Sequence, residues 1–293
     1  MKKSLPDLSF YCIVYFLVFF AILITLLPFI YVINVSVSSV EAVNKQIVSI
    51  IPVGFNLNAY KMILRFPAIW QAYYNTIWYT TVGTLFNIIA TAIAAYPLSR
   101  KQFFLRKKLN FFIAFTMYFS GGLIPLYVIV TKLGLYNSRW VMILPVLVST
   151  FNIMLCRSAF EGVSEELYES AGLDGANDFQ ILYKIAVPLI KPTLAVLTLY
   201  YVVYHWNNFF TALLFLGKTE LQPLQIFLRR ILIMASTEVM QKAGSDMAIS
   251  ALASSTLQMR YVCIVVSILP IITVYPFIQK YFVKGVMLGA VKG

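Results

Sequence analysis

The stretch that decides the fold is Glu161–Pro192, EGVSEELYESAGLDGANDFQILYKIAVPLIKP. Six of the chain's 11 acidic residues fall in its first eighteen positions: Glu161, Glu165, Glu166, Glu169, Asp174 and Asp178. Long apolar runs lie on both sides of it. A polar, helix-forming insert between two such runs belongs at a membrane face, because buried charge is costly in hydrocarbon.

The 293 residues are 60% hydrophobic and only 12% charged, against about 25% charge in a soluble domain. The runs are continuous rather than alternating, so the expected class is an all-α integral membrane protein, not a barrel. The net charge of +12 does not indicate a nucleic-acid partner: the Lys and Arg residues cluster at the ends of apolar runs, where loop charge sets membrane orientation. Cys12, Cys156 and Cys263 lack ligand spacing, and His205 is the sole histidine. No metal site and no catalytic residue is expected from them. The N-terminal apolar run is too long for a signal peptide and reads as a retained span.

Six transmembrane helices are expected, over about Phe10–Val35, Ile69–Leu98, Leu109–Thr131, Trp140–Cys156, Pro192–Leu216 and Tyr261–Gln279. The link holding Arg100, Lys101, Arg106, Lys107 and Lys108 has no acid, which puts it, the insert and both termini on the cytoplasmic side of a bacterial cell membrane. Segments 36–68, 132–139 and 217–260 then lie outside. IFLRRILIM, within the last of these, reads as a helix lying on the outer surface or capping the bundle. Lys218, Arg229, Arg230, Lys242 and Arg260 make the outer side basic, suited to an acidic oligosaccharide or an acidic docking protein. Pro28, Gly121, Gly122, Pro125, Pro145, Pro270 and Pro276 interrupt the spans, as in a bundle that bends or lines a cavity. The domains expected are 1–68 (tip, first span, external segment), 69–280 (core) and 281–293 (cytoplasmic tail). There is no internal repeat, so a pseudo-twofold partner would be a separate subunit.

Within the insert, Ser164 is placed as an N-cap with Glu165 and Glu166 in the first turn. Leu167, Tyr168 and Ala171 share one apolar side. Gly172 and Gly175 end or bend the helix. A second helical piece, Asp178–Ile185, leads to Pro188, and Pro188 and Pro192 reopen the chain into span five.

Glu169-Ser170-Ala171, three residues, Gly175, nine residues and Ile185-Ala186-Val187-Pro188 resemble the EAA loop of binding-protein-dependent ABC importer permeases, with Ser170 and Val187 as conservative departures. AGLDGAND (Ala171–Asp178) resembles the sugar-importer branch. AAYPLSR (Ala94–Arg100), HWNNFFTALLFL (His205–Leu216) and the terminal QKYFVKGVMLGAVKG resemble MalG-like subunits. Length and spacing are most similar to the LplC-type polysaccharide branch, including the second permease of an alginate-oligosaccharide importer.

The resemblance implies a type I importer fold whose insert is a coupling helix docked on a cytoplasmic ATPase dimer. It implies a heterodimer with a homologous second permease, an extracytoplasmic solute-binding protein, and an oligosaccharide as substrate. ATP and Mg would be bound by the ATPase; this chain would need no cofactor and, lacking GxxxxGK[ST], would not be an enzyme by itself. Glu166, Glu169, Ser170, Ala171, Asp174, Gly175, Ala176 and Pro188 carry the coupling role on this reading. Lys280–Gly293 is a further candidate to reach the ATPase.

Span five offers a substrate path: Tyr200, Tyr204, Trp206, Asn207 and Asn208 place rings and amides where a sugar would pass, with Asn75, Thr80, Thr81 and Asn87 of span two and Asn152 of span four as weaker candidates. Asn207 lies about 22 Å along a helix from Pro192, at roughly 1.5 Å per residue. Helix packing is the competing role for the same side chains. The alternative functions are a self-sufficient secondary transporter or channel, which would want carboxylates inside spans, and a membrane enzyme. None of the six spans holds Asp or Glu.

Overall fold

The computed structural model describes residues 5–234 and 258–273. The described residues are helical with no strand. They fall into two units: the described parts of Met1–Ile69 with Leu228–Pro270, and of Trp70–Phe227 with Ile271–Gly293.

In the first unit, Leu5–Val37 is one helix. None of its most apolar window is buried within the protein. A wholly apolar, unburied helix of this length fits lipid on all sides. Its end is fixed by polar bonds. Gln258 Nε2 donates to Ser36 O at 3.1 Å and Ser38 O at 2.7 Å. Ser38 Oγ accepts from Val53 N at 3.1 Å. Val35, Ala42, Val43 and Val48 are buried beside it, with Tyr261 packed against them.

The second unit is built on the helix Pro67–Ser99, which enters it from Trp70 onward. One of its faces carries Thr76, Thr80, Thr84, Asn87 and Thr91, all buried. Toward its C-terminal end, Ala95, Tyr96 and Leu98 join Ile153, Cys156, Phe160, Leu197 and residues of the insert in one core. Toward the other end, Tyr79, Val141, Met142, Phe215 and Ile226 form a second core. There Tyr79 donates its hydroxyl to Leu221 O at 2.8 Å, and Asn75 Nδ2 donates to Glu220 O at 2.7 Å and Gln222 O at 3.1 Å.

Two expected spans are bent helix pairs rather than straight rods, and a third follows a sharp bend. Leu109–Thr131 is realised as Arg106–Tyr118 and Leu123–Lys132, bent by 112°. The break falls at Gly121 and Gly122, the latter at φ +84°, a left-handed conformation that side chains disfavour. Trp140–Cys156 is realised as Arg139–Val146 and Thr150–Glu161, bent by 55°. Its first half is 3-10 helix around Pro145, and the second half runs past Cys156 to Glu161. Pro192–Leu216 is realised as Lys191–Asn207, set at 84° to the preceding Asp178–Leu189, with Phe210–Phe215 following a break at Asn208. The sixth expected span begins in the helix Gln258–Thr273. Its remainder with Pro276, the tail 281–293 with Lys280–Gly293, and Lys242 lie outside the described residues. IFLRRILIM is helical, within Leu224–Met234.

Candidate functional site

The insert folds as a helix, Glu165–Leu173. Tyr168 and Ala171 are buried. Leu167, expected on the same side, is 47% exposed: Tyr168 and Ala171, three apart, share the inward face, and Leu167 lies a further 100° round the helix. Ser164 occupies the N-cap position, but its side chain makes no capping bond; Leu167 N instead donates to Ser164 O at 3.3 Å.

Gly172 lies inside the helix and does not end it. The end is a Schellman turn, in which Ala176 N donates to Ala171 O and Gly175 N to Gly172 O, both at 3.0 Å. Gly175 sits at φ +79°, the left-handed value this turn requires. A capping box follows at once: Gln180 N donates to Asn177 Oδ1 at 2.9 Å, and Asn177 N to Gln180 Oε1 at 3.0 Å. The two caps share a four-residue connection, Asp174–Asn177, so helix, turn and next helix form one stiff corner.

The chain after the corner is not opened by Pro188. Asp178–Ile181 continues through a π turn, Leu182–Ala186, into Val187–Leu189. Pro188 lacks an N–H, and its ring would press on the carbonyl of Lys184 in a regular helix. The wider π turn, which contains Lys184, accommodates it. The direction changes two residues later, at Ile190.

The acids divide by role. Glu161 pairs with Arg106, and Arg157 Nε lies 3.8 Å from it. Glu165 Oε1 is 3.1 Å from Arg100 Nη2 and accepts from Gln102 Nε2 at 3.1 Å. The Arg100 guanidinium also lies 3.9 Å from the Tyr168 ring centroid. Tyr168 meets Tyr96 edge to face at 6.2 Å, and Tyr96 meets Phe160 at 5.6 Å. Burial pushes the Tyr168 hydroxyl up to about 12, with Arg100 opposing the rise. Glu166, Glu169, Ser170, Asp174 and Asp178 are exposed, and Leu173 at the corner is 91% exposed. Ala176 is half-buried and packs on the core. The insert is therefore riveted to the cationic link by Glu161 and Glu165, and presents Glu166, Glu169, Ser170, Leu173 and Asp174 outward. Arg100, Gln102 and Arg106 were not among the expected site residues. The acid-free link facing an acid-rich insert across one membrane face was the signal for them.

The span-five residues separate as well. Tyr200 and Tyr204 line a cavity with residues of the broken span four. Trp206 is buried. Asn207 Nδ2 donates to Val203 O at 2.9 Å on its own helix. Asn208, buried, accepts from Thr211 N at 3.3 Å across the break. His205, missed as a site residue, is buried with Nε2 2.6 Å from Asn87 Oδ1. Asn87 Nδ2 donates at 2.7 Å to both Val146 O and Leu147 O. Since Asn87 presents only an acceptor to the ring, Nε2 carries the proton.

The model of the family "Binding-protein-dependent transport system inner membrane component" matches residues 1–288. The chain belongs to this family. It is similar to the polygalacturonan/rhamnogalacturonan transport system permease protein YtcP of Bacillus subtilis (strain 168), 40% identical over all of both chains. It is also similar to protein LplC of the same organism, 36% identical over 92% of this chain and 90% of that one. A chain in the crystal structure of a bacterial ABC transporter involved in the import of the acidic polysaccharide alginate superposes with a TM-score of 0.83, at 34% identity, over 96% of this chain and 99% of its own. The fold is that of a type I importer permease, and the chain is a membrane component of a binding-protein-dependent transport system.

Proposed function

We propose that this permease is the membrane subunit of an ATP-driven importer of acidic oligosaccharides, moved by a cytoplasmic ATPase through the corner Glu165–Asp178. The observation that carries the reading is the division of the insert: Tyr168 and Ala171 are buried in the core shared with spans two and four, while Glu166, Glu169, Ser170, Leu173 and Asp174 face outward. An apolar residue that is 91% exposed at the tip of a polar helix is what a docking surface needs and a solvated loop does not. A push on the corner would reach span two through Arg100 and span five through Pro188 and Ile190.

The complete system on this reading has a second, homologous permease, an ATPase dimer that binds ATP and Mg, and an external binding protein. This chain holds no catalytic group for hydrolysis, and both termini are cytoplasmic. The uronate substrate is supported by the acidic polymers named for the relatives and by exposed Lys218, Arg229 and Arg260, which would attract acidic sugar or an acidic binding protein.

The test is uptake of oligogalacturonides into vesicles containing the assembled system. Uptake that requires ATP, the ATPase and the binding protein supports the reading. Uptake by this chain without an ATPase overturns it in favour of a secondary transporter.

A further inference from the structure

The break in span four leaves a cavity of about 380 Å³. Its walls include Ser149, Phe151 and Asn152 on one side and Tyr200, Tyr201 and Tyr204 of span five on the other. Three features mark it as built for a ligand. Asn152 is 5% exposed and lines the cavity, where its amide is open to a bonding partner. A buried amide costs free energy unless it is bonded. The neighbouring hydroxyls do have partners: Tyr201 meets Thr91 Oγ1 at 2.7 Å, and Tyr204 bonds Thr211. The rings are placed as walls rather than as a packed core: Phe151 and Tyr200, 6.3 Å apart at 42°, are both exposed and both line the cavity. Among the described residues no charged side chain lines the cavity.

We propose that this cavity is a sugar subsite: one pyranose ring of the transported oligosaccharide lays its C–H face on the Tyr200 and Phe151 rings and bonds a hydroxyl to the Asn152 amide. The proposal rests on the oligosaccharide reading above and adds where in this chain the sugar is held. The absence of charge gives it a specificity. The subsite reads ring and hydroxyls; a carboxylate inside it would be left unpaired at a cost in free energy, so the carboxylate stays outside the cavity and the ring is held in acidic and neutral forms alike. A volume of this size suits one ring rather than several. Of the span-five residues, Tyr200 and Tyr204 belong to the subsite, while Trp206, Asn207 and Asn208 are engaged in the helix itself.

The test is the number of sugars delivered per ATP hydrolysed by the complete importer in vesicles, with saturating binding protein. The probes are tetragalacturonide and its methyl ester. Tyr200→Leu and Asn152→Leu are each expected to lower that ratio about fivefold, the size of one lost contact, with ATP hydrolysis retained. Tyr200→Phe keeps the ring and is expected to keep the ratio. A purely structural role for these residues would lower assembly or hydrolysis and leave the ratio unchanged; that result overturns the subsite. If Asn152→Leu fails to assemble, Tyr200→Leu decides alone, since its side chain is exposed. A loss confined to the free acid overturns the charge-blind specificity. No wild-type uptake of either probe overturns the oligosaccharide reading together with the subsite.

Discussion

The guanidinium of Arg100 lies 3.9 Å from the centre of the Tyr168 ring while the same group reaches Glu165 at 3.1 Å. Arg100 follows directly on the helix Pro67–Ser99, and Tyr168 is the buried anchor of the insert helix. One side chain thus stacks on the inner face of that helix and pairs with its first turn. The two contacts are each worth on the order of 1 kcal/mol at a partly exposed site. Together they tie span two, and not span five alone, to the corner, so that on the proposed function span two would receive its movement.

Arg100→Ala is expected to lower coupling, measured as transport-linked ATP hydrolysis, with about 1–2 kcal/mol lost in stability. Arg100→Lys keeps the charge but not the flat stacking group, so it should fall between Ala and wild type. A double-mutant cycle with Glu165→Ala should return an interaction energy on the order of 0.5–1 kcal/mol. A cycle that returns zero would detach Glu165 from the rivet.

Gly175 separates conformation from space. A Cβ there would meet no atom within 4 Å, but the backbone sits at φ +79°. Gly175→Asn, which tolerates that region, should keep uptake near wild type. Gly175→Val should cost about 1–2 kcal/mol at the turn and lower uptake sharply, while the membrane complex still assembles. Equal uptake by the two variants would mean that the turn does not set coupling.

Gly83 poses the opposite case. A Cβ there would fall 2.5 Å from His205 Nε2, the atom that donates to Asn87. Gly83→Ala should displace the ring and destabilise the protein by about 1–3 kcal/mol, read as a lower melting temperature in detergent. Removing the ring in Gly83→Ala/His205→Ala should recover part of that loss, because the space is then free.

Asn87 closes the broken span. Its amide nitrogen serves the Val146 and Leu147 carbonyls, which the 3-10 break leaves without helical partners. Asn87→Leu should cost about 2–4 kcal/mol, the sum of two buried acceptors left unsatisfied. Asn87→Asp, lacking those donors, should be no better.

The sequence made the insert legible because its charge contrast with the spans is large and its glycine and proline spacing is fixed by turn chemistry. The left-handed Gly175 and the buried pair Tyr168 and Ala171 were readable on those grounds. Leu167 was misplaced because a helical face predicted from three residues is uncertain by about one position in register. The capping box of Asn177 and Gln180 went unread although its residue types were present. The bends of spans three and four were only hinted at by Gly122 and Pro145, since hydropathy records how apolar a run is and not whether it is straight. The contacts that matter most to the site, Arg100 with Tyr168 and Asn87 with His205, join residues 68 and 118 positions apart. No local pattern encodes such pairs.

The most direct test of the account is a cross-link from the tip of the corner. Leu173→Cys, placed at the most exposed apolar position of the insert, is treated with a short thiol-to-amine reagent in membranes containing the complete importer. The account predicts a covalent product with the ATPase subunit that changes in yield when ATP is added. An ATPase that co-purifies with the complex yet forms no product from Leu173→Cys, or from Glu169→Cys beside it, would contradict the claim that this corner is where the permease is driven.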